Sequence, residues 1–441
     1  MEKQTAGKTP RKNRLEEGTR NLKWERLDNT ANLFPVISGE ELTSVYRVGA
    51  TLTEEIDPER LQEALDIVLP KFDGFNVRLR QGFFWYYFEE NGKPAPRVYE
   101  ENNYPCRYIR DNRNNSYLFR VTYYKRRINV EVFHALTDGL GGLIFLKELV
   151  YQYLRLVHPE LREKNGDALA DDTSLNREDS FLKNYSKKRK GTAYGVKLAA
   201  TIRGERLRKG QLGIMHVYLK LPELKELSHK LEVSLNDLFV ANMIFSIYKE
   251  QVRQRRFKYP IRVSIPVNLR PYFESVTTKN FFIMVSAEFI PVKDDYTFEE
   301  VLRIVHDDLK AKITKENLEV TLSYNVSKAK NWVAKVVPLV LKNQGMLWAY
   351  RFIARSNTAT VTNIGTIKVS EDYKPYFEMV HGILSVSMGQ YMKGTVASYG
   401  DTLVYTFATL FRDTAVQRRF VKTLTELGLS VELRTNGVFY D

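Results

Sequence analysis

The chain has 441 residues, of which 43% are hydrophobic, 27% charged and 12% aromatic, a balance that excludes a staple-dependent miniprotein and a disordered or collagen-like chain. Its 67 Lys and Arg exceed its 53 Asp and Glu by 14. Residues 1–27 carry eight basic and four acidic side chains, and residues 181–210 carry ten basic side chains against Glu205 alone, so two segments hold nearly all of the excess.

The opening residues lack the apolar core of a signal peptide, and no stretch approaches the ~18 apolar residues of a membrane span. The single cysteine, Cys106, excludes an internal disulfide and any CxxC zinc or redox pair. A soluble, cytoplasmic protein is expected, with residues 1–27 as a solvated basic tail. Thr43–Thr53 alternates like a half-buried strand. Asp57-Pro58 then offers an N-cap and a first-turn proline to the helix that follows. Asn76–Glu90, Tyr117–Tyr124 and Ile128–His134 are rich in β-branched and aromatic residues and read as strands, and Leu143–Val157 has helical spacing.

Residues 28–180 are therefore expected to form a first lobe, 181–210 an exposed basic connection and 211–441 a second lobe. The connection contains SKKRKG (Ser186–Gly191) and RGERLRKG (Arg203–Gly210), a charge suited to an acidic carrier protein, an anionic membrane surface or phosphate groups. Nucleic acid is disfavoured, because no helix-turn-helix, RNP or zinc-finger pattern accompanies the charge. In the second lobe, strands are expected at Ile214–Leu221, Ile261–Val267, Phe281–Ile290, Thr358–Asn363 and Gly382–Met388, with a hairpin over Gly394–Phe411. Ser234 and Asp237 have capping-box spacing before an apolar helix, and further helices are expected at Phe298–Ile313 and Thr414–Leu427. Strands and helices interleave in both halves without a fixed repeat, which points to two α/β lobes with mixed sheets. Neither a GxGxxG nor a GxxxxGK[ST] loop occurs.

The most specific stretch is VEVFHALTDGLGG, in which an apolar strand ends at His134 and is followed by Asp138, Gly139, Gly141 and Gly142 before a helix begins. This places an imidazole at a strand end, beside glycines that allow backbone to approach a ligand closely. A histidine capping a turn is the bland alternative. A metal site is disfavoured, because His134 and Asp138 span a strand end and a turn and have no partner cluster. The other five histidines read as structural.

At HALTDG the sequence resembles the CoA-dependent acyltransferase superfamily with an HxxxD motif, which includes chloramphenicol acetyltransferase and condensation domains. WERLDNTANLFP, GFFWYYFEENG, SIPVNLRP and TNIG extend the likeness over nearly the whole chain past the tail, toward bacterial alcohol acetyltransferase-like proteins. The resemblance implies two chloramphenicol-acetyltransferase-like lobes with an active-site tunnel at their interface. It implies acyl transfer from an acyl-CoA donor, used as a substrate with no permanently bound cofactor, to a small alcohol or amine acceptor. His134 matches the general base, with no covalent acyl-enzyme, and Asp138 the structural aspartate that turns inward to an arginine. Arg270 stands where that arginine is expected; a surface cation or a turn residue before Pro271 is the other reading. Thr362 and Asn363, in TNIG, match a tunnel segment that faces the oxyanion or the pantetheine arm, and Asn280 matches a further segment. No DFGWG segment occurs and no carrier or adenylation domain adjoins, so a stand-alone enzyme is expected. Carrier-dependent transfer, amide-forming condensation and a noncatalytic lipid-binding relative are the alternatives.

Overall fold

Two sheets set back to back across an interface carry most of the strands. The computed structural model describes residues 24–28, 30–110, 113–164, 166, 180–186, 197–252, 259–275, 277, 279–329 and 337–440. A short sheet of β1 (Trp24–Arg26), β4 (Tyr86–Glu90) and β3 (Val77–Gln81) is built from the first 90 residues. Trp24–Arg26 was assigned to the solvated tail on charge alone; it pairs antiparallel with β4, Trp24 opposite Glu89, because its backbone completes the β3–β4 edge.

The first large sheet has the order β12-β2-β7-β6-β5, from β2 (Val45–Leu52), β5 (Tyr99–Glu100), β6 (Phe119–Tyr124), β7 (Arg127–Phe133) and β12 (Phe377–Leu384). β12 comes from the far half of the chain, yet it pairs antiparallel with β2 from Phe377 opposite Leu52 to Leu384 opposite Tyr46. Gly382 permits this crossing, since a Cβ there would lie 2.5 Å from Ile364 Cδ1 and 2.8 Å from Thr395 Cγ2 of the second lobe.

The second sheet has the order β10-β9-β11-β13-β14-β8-β15, from β8 (Gly213–Lys220), β9 (Ile261–Asn268), β10 (Phe282–Phe289), β11 (Ala359–Thr366), β13 (Met392–Tyr399), β14 (Thr402–Thr409) and β15 (Val431–Thr435). β11 runs parallel to β9 and β13 while the outer pairs are antiparallel, so the sheet is mixed.

Helices cover the outer faces. α1 (Phe34–Ile37) is a short turn; α2 (Pro58–Val68) starts at Asp57, whose carboxylate accepts from Glu59 N and Arg60 N. α3 (Gly139–Val157) packs on α2 and buries Leu143, Phe145, Leu146 and Leu149 in the first core. After the short α4 (Ser180–Lys183) and α5 (Leu221–Lys230), α6 (Leu235–Ile247) opens with a Ser234–Asp237 capping box and is buried from Asp237 to Ile247, as its apolar sequence requires. α7 (Arg270–Phe273), α8 (Phe298–Lys312), α9 (Lys315–Ala329), α10 (Leu339–Ile353) and α11 (Ala415–Glu426) complete the set.

The basic connection is more embedded than its charge suggests. Phe181 packs edge-on against Phe281 at 5.0 Å, Ala199, Ala200 and Ile202 are buried, and Ala200 N donates to Pro260 O at 2.8 Å. Apolar residues between the charges fix this part of the segment on the second lobe, while Lys187–Lys190 lie outside the described residues.

Candidate active site at the lobe interface

His134 follows the last residue of β7, where Phe133 pairs with Val45, and its amide donates to Ser44 O at 2.9 Å. Three aromatic rings from both lobes hold the imidazole. Phe34 of α1 stacks on it at 4.7 Å, Tyr46 of β2 meets it edge-on at 5.0 Å, and Phe282 of β10 lies at 6.0 Å. Nδ1 is buried, whereas the residue as a whole keeps some exposure. Asn280 Nδ2 donates to the His134 carbonyl at 3.3 Å and to Asp28 Oδ2 at 3.1 Å, fixing the backbone beneath the ring.

Burial lowers the His134 pKa from the ordinary imidazole value; its own carbonyl, Asp138 and the Asn280 amide act in the opposite direction, and the Lys393 charge adds to the lowering. The ring is thus neutral at pH 7, the form that can take a proton.

Asp138 and Arg270 are brought together. Asp138 caps α3, with Oδ1 accepting from Gly141 N at 3.3 Å, and Oδ2 accepts from Arg270 Nη2 at 2.8 Å and from Phe281 N at 3.3 Å. Arg270 also donates through Nε to Thr277 O and through Nη2 to Lys279 O, each at 2.8 Å. Both side chains are buried, and a buried ion pair of this kind needs its remaining donors and acceptors satisfied, as they are here. The carboxylate therefore faces the arginine and the helix start.

Close backbone approach is required at two glycines. A Cβ at Gly142 would lie 2.5 Å from Tyr46 Oη, which donates to Asp138 O at 2.6 Å. A Cβ at Gly139 would lie 3.2 Å from Ile364 Cγ2, the β11 side chain that also fills the notch at Gly382. Ile364 and Thr362 share the face of β11 turned toward the first lobe. Asn363 takes the other face, donating to Asn236 Oδ1 at 2.8 Å and accepting from Gly365 N at 2.7 Å. Of the TNIG pair, Thr362 is on the site side and Asn363 is not.

No protein-family model matches the sequence, and no curated protein matches it. Solved structures do match in shape. The trichothecene 15-O-acetyltransferase TRI3 of Fusarium sporotrichioides aligns with a TM-score of 0.60 at 10% identity, over 91% of this chain and 94% of its own. TRI101 of F. graminearum, solved with ethyl coenzyme A, aligns with a TM-score of 0.60 at 12% identity over 93% and 99% of the two chains. A starter condensation domain of rhizomide synthetase, in complex with C8-CoA, gives 0.58 at 12% identity over 92% and 95%. This is the CoA-dependent acyltransferase and condensation-domain fold.

A cavity of about 720 Å³ opens between the lobes on the Cys106 side. Arg107 and Arg113 of the first lobe and Arg206 and Arg208 of the second line it, and none of these four has an acidic partner among the described residues. Arg206 lies 4.0 Å over the Tyr391 ring. Behind the cavity Glu131 accepts from Arg47 Nε at 2.8 Å and from Cys106 N at 2.6 Å, and burial pushes the Cys106 thiol well up. Among the described residues no group of three or more His, Cys, Asp and Glu is placed to hold a metal, and no helix is long and apolar enough to cross a membrane.

Sequence reasoning did not single out Phe34, Tyr46, Asp28 or Lys393. Phe34 and Asp28 stood inside the WERLDNTANLFP segment that carried the resemblance, which was the available signal. Tyr46 reads as an ordinary strand residue, and Lys393 lies just before the hairpin expected over Gly394–Phe411.

Proposed function

We propose that the chain is an acyltransferase that moves an acyl group from a CoA thioester to an alcohol, with His134 as general base. The observation that carries this reading is the neutral, partly exposed imidazole at the lobe interface, its loop held by the Asp138–Arg270 pair. The folds it matches include structures solved with CoA and acyl-CoA, which supports the donor class.

In this mechanism Nε2 takes the hydroxyl proton as the acceptor oxygen bonds to the thioester carbonyl carbon. The tetrahedral intermediate then expels the thiolate, which recovers the proton from the imidazolium. No acyl-enzyme forms, because no serine or cysteine nucleophile accompanies the histidine; Cys106 is buried with its thiol firmly protonated. Thr362, on the site-facing side of β11, supplies a hydroxyl toward the oxyanion. The acyl-CoA is a substrate, and the protein needs no resident cofactor.

Thiol release from a panel of acyl-CoAs with mixed alcohols and amines, compared between the parent and a folded His134→Ala variant, tests the reading. Acceptor-dependent release that falls by about a thousandfold in the variant is the expected result. Equal release from both proteins overturns it. Activity only with carrier-bound thioesters moves the donor from CoA to an acidic carrier protein.

A further inference from the structure

β13 alternates between two environments. Met392 and Val396 are in the core of the second lobe, and Gly394 lies on that side too, where a Cβ would meet Tyr405 Oη. Lys393, Thr395 and Ala397 take the opposite face, turned toward the first lobe: Thr395 Cγ2 approaches Gly382 of β12, and Ala397 belongs to the first lobe's core.

Strand alternation places Lys393 on the face of β13 turned toward the first lobe, the side that carries His134. β12 continues from Gly382 to Ser385, whose amide donates to Val45 O, and Val45 adjoins the Ser44 carbonyl that holds His134. Lys393 is two residues from Thr395, about 6–7 Å along the strand, in the direction that leads from Gly382 toward the Tyr391 end of the basic cavity. Its ammonium is close enough to His134 to lower the imidazole pKa and close enough to Cys106, on the cavity wall, to feel the thiol. Its register neighbours, Thr360 on β11 and Ala408 on β14, are small and leave the stem room.

Lys393 is only 9% exposed and has no acidic partner among the described residues. The other buried cations differ in this respect: Arg270 meets Asp138, and Arg47 and Arg120 meet Glu131. Burial lowers the Lys393 pKa to about 8, so the group is still mostly cationic at pH 7. An uncompensated buried cation is destabilising, and a protein that keeps one on the strand face turned toward the opposite lobe has a use for it.

We propose that Lys393 binds a carboxylate carried by one of the two reactants, so that the enzyme acts on a dicarboxylic acyl thioester or on a hydroxy-acid acceptor. This rests on the acyl-transfer reading above. A carboxylate entering between the lobes supplies the missing partner through a charge-assisted hydrogen bond, and it lies beside the His134 ring, where it orients the reacting carbonyl or hydroxyl.

The test measures binding, so that it stands apart from turnover. In a His134→Ala background, calorimetry compares succinyl-CoA with butyryl-CoA, and 3-hydroxybutyrate with its methyl ester, before and after Lys393→Met. The anionic member of one pair is expected to bind at least about tenfold more tightly, and Lys393→Met is expected to bring that ratio close to one while Lys393→Arg preserves it. Preference in the first pair assigns the carboxylate to the donor, and preference in the second assigns it to the acceptor. Lys393→Met is also expected to raise the melting temperature, since it keeps the stem and removes the unpaired charge. Ratios near one in both pairs and unmoved by Lys393→Met overturn the proposal. So does a lowered melting temperature with equal loss of all four ligands, the mark of a packing role. Thiol release by the parent, measured separately, decides the acyl-transfer reading whatever these ratios show.

Discussion

Arg270 Nη2 donates to Asp138 Oδ2 at 2.8 Å across 132 residues of sequence, joining the loop that carries His134 to the strand end of the second lobe. Removing either partner leaves a charge or its cavity unmatched in the interior. Asp138→Asn and Arg270→Met should each cost about 3–5 kcal/mol, and the double variant should cost less than the sum, because it leaves no lone charge. Urea midpoints of the three proteins measure this, and the same variants should lose most of their thiol release.

The lowered His134 pKa sets the acid side of the activity profile. The base form is required, so kcat/KM should fall as pH drops through a value below the usual imidazole 6.5 and stay level from there to neutral pH. A profile that still climbs between pH 7 and 8 would contradict the environment described for this ring.

A pair of histidines governs acid stability. His216 of β8 and His381 of β12 face each other across the lobe interface at 5.0 Å, with His216 Nδ1 2.8 Å from Thr406 Oγ1 and His381 Nε2 3.0 Å from Tyr218 Oη. Burial, with nearby Arg127 and Arg434, lowers the His216 pKa to about 3 and holds His381 well below its usual range. Both are neutral when folded and gain protons near pH 6.5 when unfolded, so their contribution is complete above pH 6.5 and declines below it. At pH 5 the loss is about 2 kcal/mol for His216, and His381 adds to it in the same direction. Denaturation midpoints at pH 7.5 and 5.0, in the parent and in His216→Asn, check the slope; the variant should show the smaller one.

Gly142→Ala tests the close approach at the start of α3. The added methyl meets Tyr46 Oη at 2.5 Å and Cε2 at 2.9 Å. The variant should be destabilised by about 1–3 kcal/mol, and Tyr46→Phe, which removes the nearest atom, should recover part of that in the double variant. Thermal melts of the four proteins give the coupling.

Neutralising Arg206 and Arg208 to Gln should raise KM for acyl-CoA and flatten its dependence on salt, because the unpaired guanidinium groups at the basic cavity suit CoA phosphates. An unchanged KM and salt slope would assign the phosphates to another surface.

The parts of the site that lie in one short stretch were legible. His134, Asp138 and Gly139 stand within six residues, and a strand, turn and helix start can be read from local chemistry. Arg270 needed the family resemblance, because nothing in NLRP distinguishes a buried cation from a surface one. Lys393 was invisible: in MKGTVASY a lysine reads as an edge or solvent residue, and only the facing lobe makes that side of β13 an interior. The same non-locality hid β12. Its residues signalled a strand, but strand pairing over more than 300 residues leaves no trace in periodicity, and the expected Gly382–Met388 began five residues too late, missing the stretch that pairs with Gly49–Leu52.

The crossing of β12 bears on how this chain reaches its native state during synthesis. Until residues 377–384 have emerged, β2 presents an open edge and the nascent first lobe lacks an outer strand. The half that is made first thus cannot finish folding first, and its exposed edge is a standing invitation to mispairing over most of the time the ribosome takes to make the rest. Splitting the gene between the lobes should yield an N-terminal piece that aggregates alone and becomes soluble when a peptide spanning β12 is supplied.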